Sequence, residues 1–448
     1  MREQGFEIVE GVLKRYHESG HDDLVILPEE IIEIGEEAFL NCRNVLEVRC
    51  NKGLRTIGSA AFYGCLNLER ISLPEGLERI DRWAFVDCAK LRELRIPESV
   101  RSIGYSAFSR CYSITQIKIP EDIEEIDYSF SYCDSLEEIT LPKQLKKIGR
   151  RAFSGCKSLK GIRIPETVTE IGYSAFAGCN EITSLVLPEA IEAIDEFAFS
   201  SCSSLKELIL PESIRDIKAG TFKNCPALQT VKLPAGIRSI ESEAFSGCVS
   251  LIDLELPCGL EEIGEEAFLG CEKIKELWLP GSVRQIGPKA FAECKSLRNV
   301  SLPDSVETLY KRTFDRCEKI HRIRLKFDQM EALSPALQTK AYLSYCSDPE
   351  AYSESDRAAY DAHLFAHKNK LLEELIKQDY IEAFSYFSQS DRIGIEEIDR
   401  YIELANSMEA KQVTLSLLDY QNTRFSFEQM RSQREESIRQ VLDLELDL

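Results

Sequence analysis

The sequence predicts an α+β protein: a solenoid of 13 coils of about 23 residues, followed by an all-helical C-terminal domain. Three observations predict it. Phenylalanine recurs at positions 39, 62, 85, 108, 130, 153, 176, 199, 222, 245, 268, 291 and 314, every 23 residues except for one interval of 22. A cysteine follows each of these by three positions, from Cys42 to Cys317. The period stops after Arg324, and apolar residues then return at helical spacing. A short fixed period marks units that bury their apolar side only against their neighbours.

The coil from Cys88 to Phe108 shows the parts. Leu94 and Ile96 alternate with charged residues, which is the period of a strand. Pro97 has no N–H to donate and ends the pairing. Twelve coils carry this proline, from Pro28 to Pro303, and Asn51 replaces it once. Val100 and Ile103 form a second, shorter apolar segment. The residue after that isoleucine is Gly at 35, 58, 104, 149, 172, 264 and 287 and Asp at 81, 127 and 195, so a left-handed turn residue is expected there. Lys218, Glu241 and Tyr310 hold the same place, so that need does not extend to every coil. Ala and Phe then pack inward at a turn.

The unit L-x-x-I-x-[LI]-P-x-x-[VI]-x-x-I-G-x-x-A-F-x-x-C resembles the BspA-like class of leucine-rich repeats over about residues 6–327. The opening, Phe6 to Leu13, then Tyr16, then Leu24 to Pro28, resembles that family's N-terminal cap. A cap is also physically required, because a first coil would otherwise expose its core edge. The resemblance implies a right-handed leucine-rich repeat solenoid with parallel strands, whose members mostly act in adhesion or partner binding and not in catalysis. Departures are a one-residue deletion near Ser129 and Phe130, and Thr221 and Thr313 in the alanine column. Expected boundaries are a cap over 1–27, the solenoid over 28–327 and the helical domain over 328–448. Thirteen coils at ~4.8 Å each give a body on the order of 60 Å long.

Sixteen cysteines could suggest disulfides, but thirteen occupy one column. Stacked side chains ~4.8 Å apart with parallel Cβ vectors are too far apart to bridge. The column therefore reads as a buried ladder of free thiols. No C-x-x-C pair offers a zinc site. The net charge of −21 argues against nucleic acid and against an anionic membrane surface. No stretch of about 20 apolar residues predicts a transmembrane helix, and no signal peptide is evident. The expectation is a cytoplasmic chain, or a secreted or cell-surface one if a leader was trimmed.

Any specificity must lie in columns that do not repeat. Alternation turns outward the residue between the two apolar strand positions. That column reads Arg49, Ser72, Arg95, Lys118, Thr140, Arg163, Val186, Ile209, Lys232, Glu255, Trp278, Ser301 and Arg324. Arg95, Lys118, Arg163, Val186, Ile209 and Trp278 are the candidate partner-binding residues, since Arg and Trp supply binding hot spots. The plainer alternative is that Val and Ile favour strands and that the basic residues pair with the neighbouring column containing Glu47 and Glu93. Tyr105, Tyr128 and Tyr173 form a second candidate set, with local packing at a turn rim as its plain alternative. Glutamates after the prolines (75, 98, 121, 166, 189 and 212) form an edge expected to be solvated.

Beyond Gln329, Ser334-Pro335 reads as a helix start and Ser347-Asp348-Pro349 as a breaker. Leu371, Leu372, Leu375 and Ile376 recur at helical spacing. Helical stretches follow over 381–387, 395–405 and 413–420, with a charged helix over 427–448. The segment from Ile398 through Leu418 resembles ankyrin-type helix pairs, without their T-P-L-H signature. His363 and His367 lie four apart on one helical face, where packing outweighs metal binding because no H-E-x-x-H accompanies them.

No G-x-S-x-G, Walker A or dinucleotide motif occurs, and five histidines leave little for triad chemistry. The expectation is no enzyme and no cofactor. The chain reads as an interaction or adhesion module that binds a protein or glycan partner on the strand face. The alternative is a spacer whose C-terminal helical domain carries the interaction.

Overall fold

The computed structural model describes residues 2–3, 5–20, 22–252, 254–377, 380–389, 393–426 and 429–432. It contains two compact units: residues 1–298 with 303–319, and residues 299–302 with 320–448.

In the first unit the coils stack in three parallel walls, the first of them interrupted at the coils of Arg95 and Arg163, which form no strand there. The first wall is built from the strands that precede the prolines. Leu24–Ile26, Glu47–Arg49 and Arg70–Ser72 pair in parallel, as do Ser184–Leu185, Glu207–Ile209 and Thr230–Lys232. The second wall runs from Glu33–Ile34 to Thr308–Leu309 and pairs like with like, for example Ile57 with Ile80. Turns carry the third wall. The Phe62 N–H donates to the Ala84 carbonyl and the Phe85 N–H to that of Ala107, both at 2.7 Å. The 23-residue period is therefore a hydrogen-bond register on three sides at once.

The phenylalanine rings stack through the centre with centroids 4.7–6.0 Å apart and planes within 25° of parallel. Each is fully or almost fully buried, which stabilises the coil by about 1.5–3 kcal/mol per ring. Tyr16, on the cap hairpin formed by Phe6–Val9 and Val12–Tyr16, extends the stack by lying 4.9 Å from Phe39. The cysteines do more than fill space. From Cys65 to Cys317 each thiol donates to the phenylalanine carbonyl of the preceding coil at 3.0–3.5 Å, for example Cys88 to Phe62. All sixteen cysteines are unbridged.

Departures from the repeat are satisfied locally. Asn51 donates to the carbonyls of Pro28 and Ile31 and accepts from the Gly53 N–H. Ser129, Thr221 and Thr313, in the alanine column, each donate to a carbonyl two or three residues back. These bonds remove the penalty of a buried hydroxyl.

The expected left-handed residue after the isoleucine is not where the chain turns left. Positive φ falls on two other columns, two residues before each phenylalanine (Trp83, Tyr128, Phe197) and two after it (Asn41, Asp87, Asn224). Glycine after the isoleucine serves close approach instead. A Cβ on Gly104 would lie 2.3 Å from the Arg82 nitrogen of the coil below. Gly104→Val is expected to cost about 2–3 kcal/mol in a denaturant melt, and a loss under about 0.5 kcal/mol would refute the close-approach argument.

In the second unit, Asn299–Ser301 and Arg322–Arg324 pair in parallel. Six α-helices follow within residues 335–424: α1 (Pro335–Ser347), α2 (Glu354–Ala366), α3 (Lys368–Lys377), α4 (Ile381–Gln389), α5 (Ile395–Ser407) and α6 (Lys411–Arg424), counted among the described residues. Pro335 starts α1 and the expected breaker ends it at Ser347. The Ile323 N–H of the outer strand donates to Ser344 of α1 at 2.9 Å, so the helix satisfies part of that strand's edge. Tyr345 stacks on Tyr360 at 4.6 Å and donates to Asp361 at 2.7 Å, joining α1 to α2. α5 and α6 pack as a hairpin. His363 and His367 stack on each other at 4.3 Å, and His363 also stacks on Tyr342. The charged helix expected over 427–448 lies outside the described residues apart from 429–432. No described helix is long and apolar enough to cross a membrane.

Candidate functional site

Strand alternation does turn the predicted column outward. Along the three-residue strands the pattern is exposed, buried, exposed, as in Gln116–Lys118 and Glu207–Ile209. Arg95, Lys118 and Arg163 are exposed on this face. Val186 is 84 % exposed, Ile209 65 % and Trp278 64 %. Ser184 pairs with Glu207 and Leu185 with Leu208, and the same register sets Val186 beside Ile209. Arg163 and Lys232 occupy the flanking rungs. Strand preference alone is a thin explanation for Val186, because an almost fully exposed side chain removes almost no apolar surface from water.

The basic residues find partners, but not only those expected. Arg49 pairs with Glu47 at 2.7 Å, as cross-column pairing predicts. Arg95 instead reaches Glu75 at 3.1 Å, and Lys118 reaches Glu98 at 2.5 Å. Both partners are post-proline glutamates of the preceding coil, twenty positions back. The glutamate edge is therefore the counter-charge of the strand face rather than a purely solvated rim. The Lys118 hydrogen bond holds the Glu98 carboxyl below its ordinary range, and Glu98 holds the Lys118 ammonium above its own. Such exposed pairs contribute little to stability, so an incoming carboxylate can replace one at little cost. At the rung of Arg163 the position twenty back is Lys143, which adds a second cation. At the rung of Trp278 it is Cys258, the one cysteine that is exposed.

Ile26, 61 % exposed, begins this column and was missed by sequence reasoning. Counting one period back from Arg49 finds it.

The three tyrosines belong to a longer array. Trp83 meets Tyr105 edge-on at 6.4 Å, Tyr105 meets Tyr128 at 4.6 Å, and Tyr173 meets Phe197 edge-on at 5.8 Å. Arg151 bridges the gap, its guanidinium 5.7 Å from the Tyr128 ring and 5.8 Å from the Tyr173 ring. Arg82 lies over Trp83 at 4.8 Å, and Arg150 over Tyr128 at 6.0 Å. Trp83 and Tyr105 are each 39 % exposed, while Tyr128, Tyr173 and Phe197 are half-buried. Packing at the rim is thus part of what these tyrosines do.

Three overlapping stretches, 21–129, 126–252 and 238–344, match the profile of the BspA type leucine-rich repeat region. Among solved structures, a leucine-rich repeat protein from Bacteroides ovatus is 29% identical, with a TM-score of 0.62, and covers 72% of this chain and 92% of its own. A leucine-rich cell surface protein from Faecalibacterium prausnitzii is 27% identical, with a TM-score of 0.51, and covers 72% of this chain and 93% of its own. A search of curated proteins returned no match.

Proposed function

Because the chain belongs to the BspA-type leucine-rich repeat family, we propose that it is a non-catalytic interaction module that docks a protein partner on the strand face of its solenoid. Proteins built from such repeats generally serve interaction or adhesion. The observation that carries the reading is the exposed apolar pair Val186 and Ile209, set between basic rungs and three rungs from Trp278. An aromatic anchor, a small apolar patch and replaceable charges at its rim are the composition of a hot spot with its surround. The Faecalibacterium prausnitzii relative is a cell surface protein, which supports adhesion as the setting.

The test uses the full chain immobilised against lysate and surface fractions of the source cell, followed by titration of the captured protein. Trp278→Ala and Val186→Lys are each expected to weaken binding roughly tenfold or more. Charge reversal at Arg95, Lys118 or Arg163 is expected to act mainly through a slower on-rate at low salt. An environment-sensitive dye on Cys258 should report the same event, since that exposed thiol lies on the coil preceding that of Trp278. Unchanged affinity in both Trp278→Ala and Val186→Lys would sink the strand-face reading.

A further inference from the structure

The array from Trp83 to Phe197 runs beside the turn wall and is separate from the strand face. We infer that it is a second docking surface, and that its ligand is an extended acidic peptide segment with aliphatic side chains between its carboxylates.

The argument begins with charge. In a chain of net charge −21, three arginines, Arg82, Arg150 and Arg151, are gathered on one line of aromatic rings. Arg150 is committed to Asp127 at 3.3 Å. Arg82 and Arg151 are in no ion pair among the described residues and lie over rings instead. A guanidinium carries its N–H donors in one plane, where they can take a carboxylate edge-on in bidentate fashion. Carboxylates are therefore the complementary group.

Ring geometry decides between a peptide and an acidic sugar chain. Sugars stack on open, flat ring faces. Here Trp83 meets Tyr105 at 85° and Tyr173 meets Phe197 at 68°, so the rings present edges and clefts. Guanidiniums cover the faces of Trp83, Tyr128 and Tyr173. Ring edges of this kind suit an aliphatic side chain better than a flat sugar face. The array spans five coil steps, about 24 Å at ~4.8 Å per step, which an extended peptide of roughly seven residues covers. Trp, Tyr and Arg are also the residues that dominate protein-protein hot spots.

The test is a titration of the full chain carrying Trp278→Phe, which leaves Trp83 as the only tryptophan. The probe is a fluorescein-labelled peptide of about eight residues alternating glutamate and leucine, with a lysine-leucine peptide and polygalacturonate in parallel. The expected result is saturable anisotropy with the glutamate peptide, accompanied by a change in Trp83 emission. Arg82→Gln with Arg151→Gln should weaken it by on the order of tenfold or more, because two charge-assisted contacts are lost. Arg151→Lys keeps the charge and loses the planar fork. It is expected to weaken binding several-fold and serves if the double variant melts early. Val186→Lys on the strand face should leave this binding unchanged, so failure here is distinct from failure there. The inference is overturned by absence of saturation with the glutamate peptide, by equal binding of the lysine peptide, or by full affinity in the arginine variants. Binding of polygalacturonate in place of the peptide also overturns it.

Discussion

Raising the pH from 7 to 9.5 is expected to unfold the solenoid or bring it close to unfolding, with no reagent added. Twelve of the thirteen thiols in the cysteine column have their ionisation pushed upward, with burial the dominant cause except at Cys294, where the contact with Cys317 leads. Cys133 and Cys225, for example, are pushed up to about 12. An unfolded thiol ionises near pH 8.5. A group whose folded value is raised contributes its full stability below the unfolded value and loses it as the pH climbs toward the folded one. At pH 9.5 each thiol therefore withdraws about 1 kcal/mol, and twelve together rival the roughly 5–15 kcal/mol that holds an ordinary domain. Guanidinium melts under reducing conditions at several pH values would measure this. A midpoint that stays level between pH 7 and 9.5 would refute it.

Phe176→Ala is expected to cost about 3–5 kcal/mol. Its ring is fully buried between Phe153 at 5.5 Å and Phe199 at 5.6 Å. In a compact domain neighbouring side chains could relax into the gap from several directions. Here the rings above and below are pinned by backbone bonds, the Phe153 N–H to the Ala175 carbonyl at 2.8 Å and the Phe199 N–H to the Thr221 carbonyl at 3.0 Å. The cavity therefore stays open. Since coils couple only to their neighbours, the substitution should also split one transition into two. A single melt displaced by less than about 1 kcal/mol would contradict both expectations.

The period made the walls, the core columns and the outward strand column legible, because position modulo 23 fixes the side of the coil on which a residue lies. What was not legible follows from geometry that the period does not encode. Arg95 and Lys118 are bonded to Glu75 and Glu98, an offset of 20, because long side chains lean diagonally across the rim instead of straight along the stack. Left-handed residues were misplaced because glycine has two uses. Close approach at Gly104 and positive φ at Gly155 look the same in a sequence. The sequence showed Tyr105, Tyr128 and Tyr173 but not the rest of the aromatic array, because the array changes column. Tyr105 and Tyr173 sit three before their phenylalanines, whereas Trp83, Tyr128, Arg151 and Phe197 sit two before. In the second unit, helix starts and stops were visible at Pro335 and Ser347, but the Tyr345 to Asp361 contact joins residues 16 apart on different helices and leaves no local trace.

The three-wall register has a consequence for assembly. Any coil offers upward what the next coil accepts from below, so a bare coil end is a sticky, self-complementary surface related by translation. Contacts of that kind do not close into a ring and instead propagate as a filament. The hairpin of Phe6–Val9 and Val12–Tyr16 is where this chain breaks the symmetry. Val12 and Leu13 pair in parallel with Glu33 and Ile34, but the strand beyond is antiparallel. No second chain can add there in the solenoid's register. A few residues of reversed strand thus close one end of the stack to head-to-tail addition.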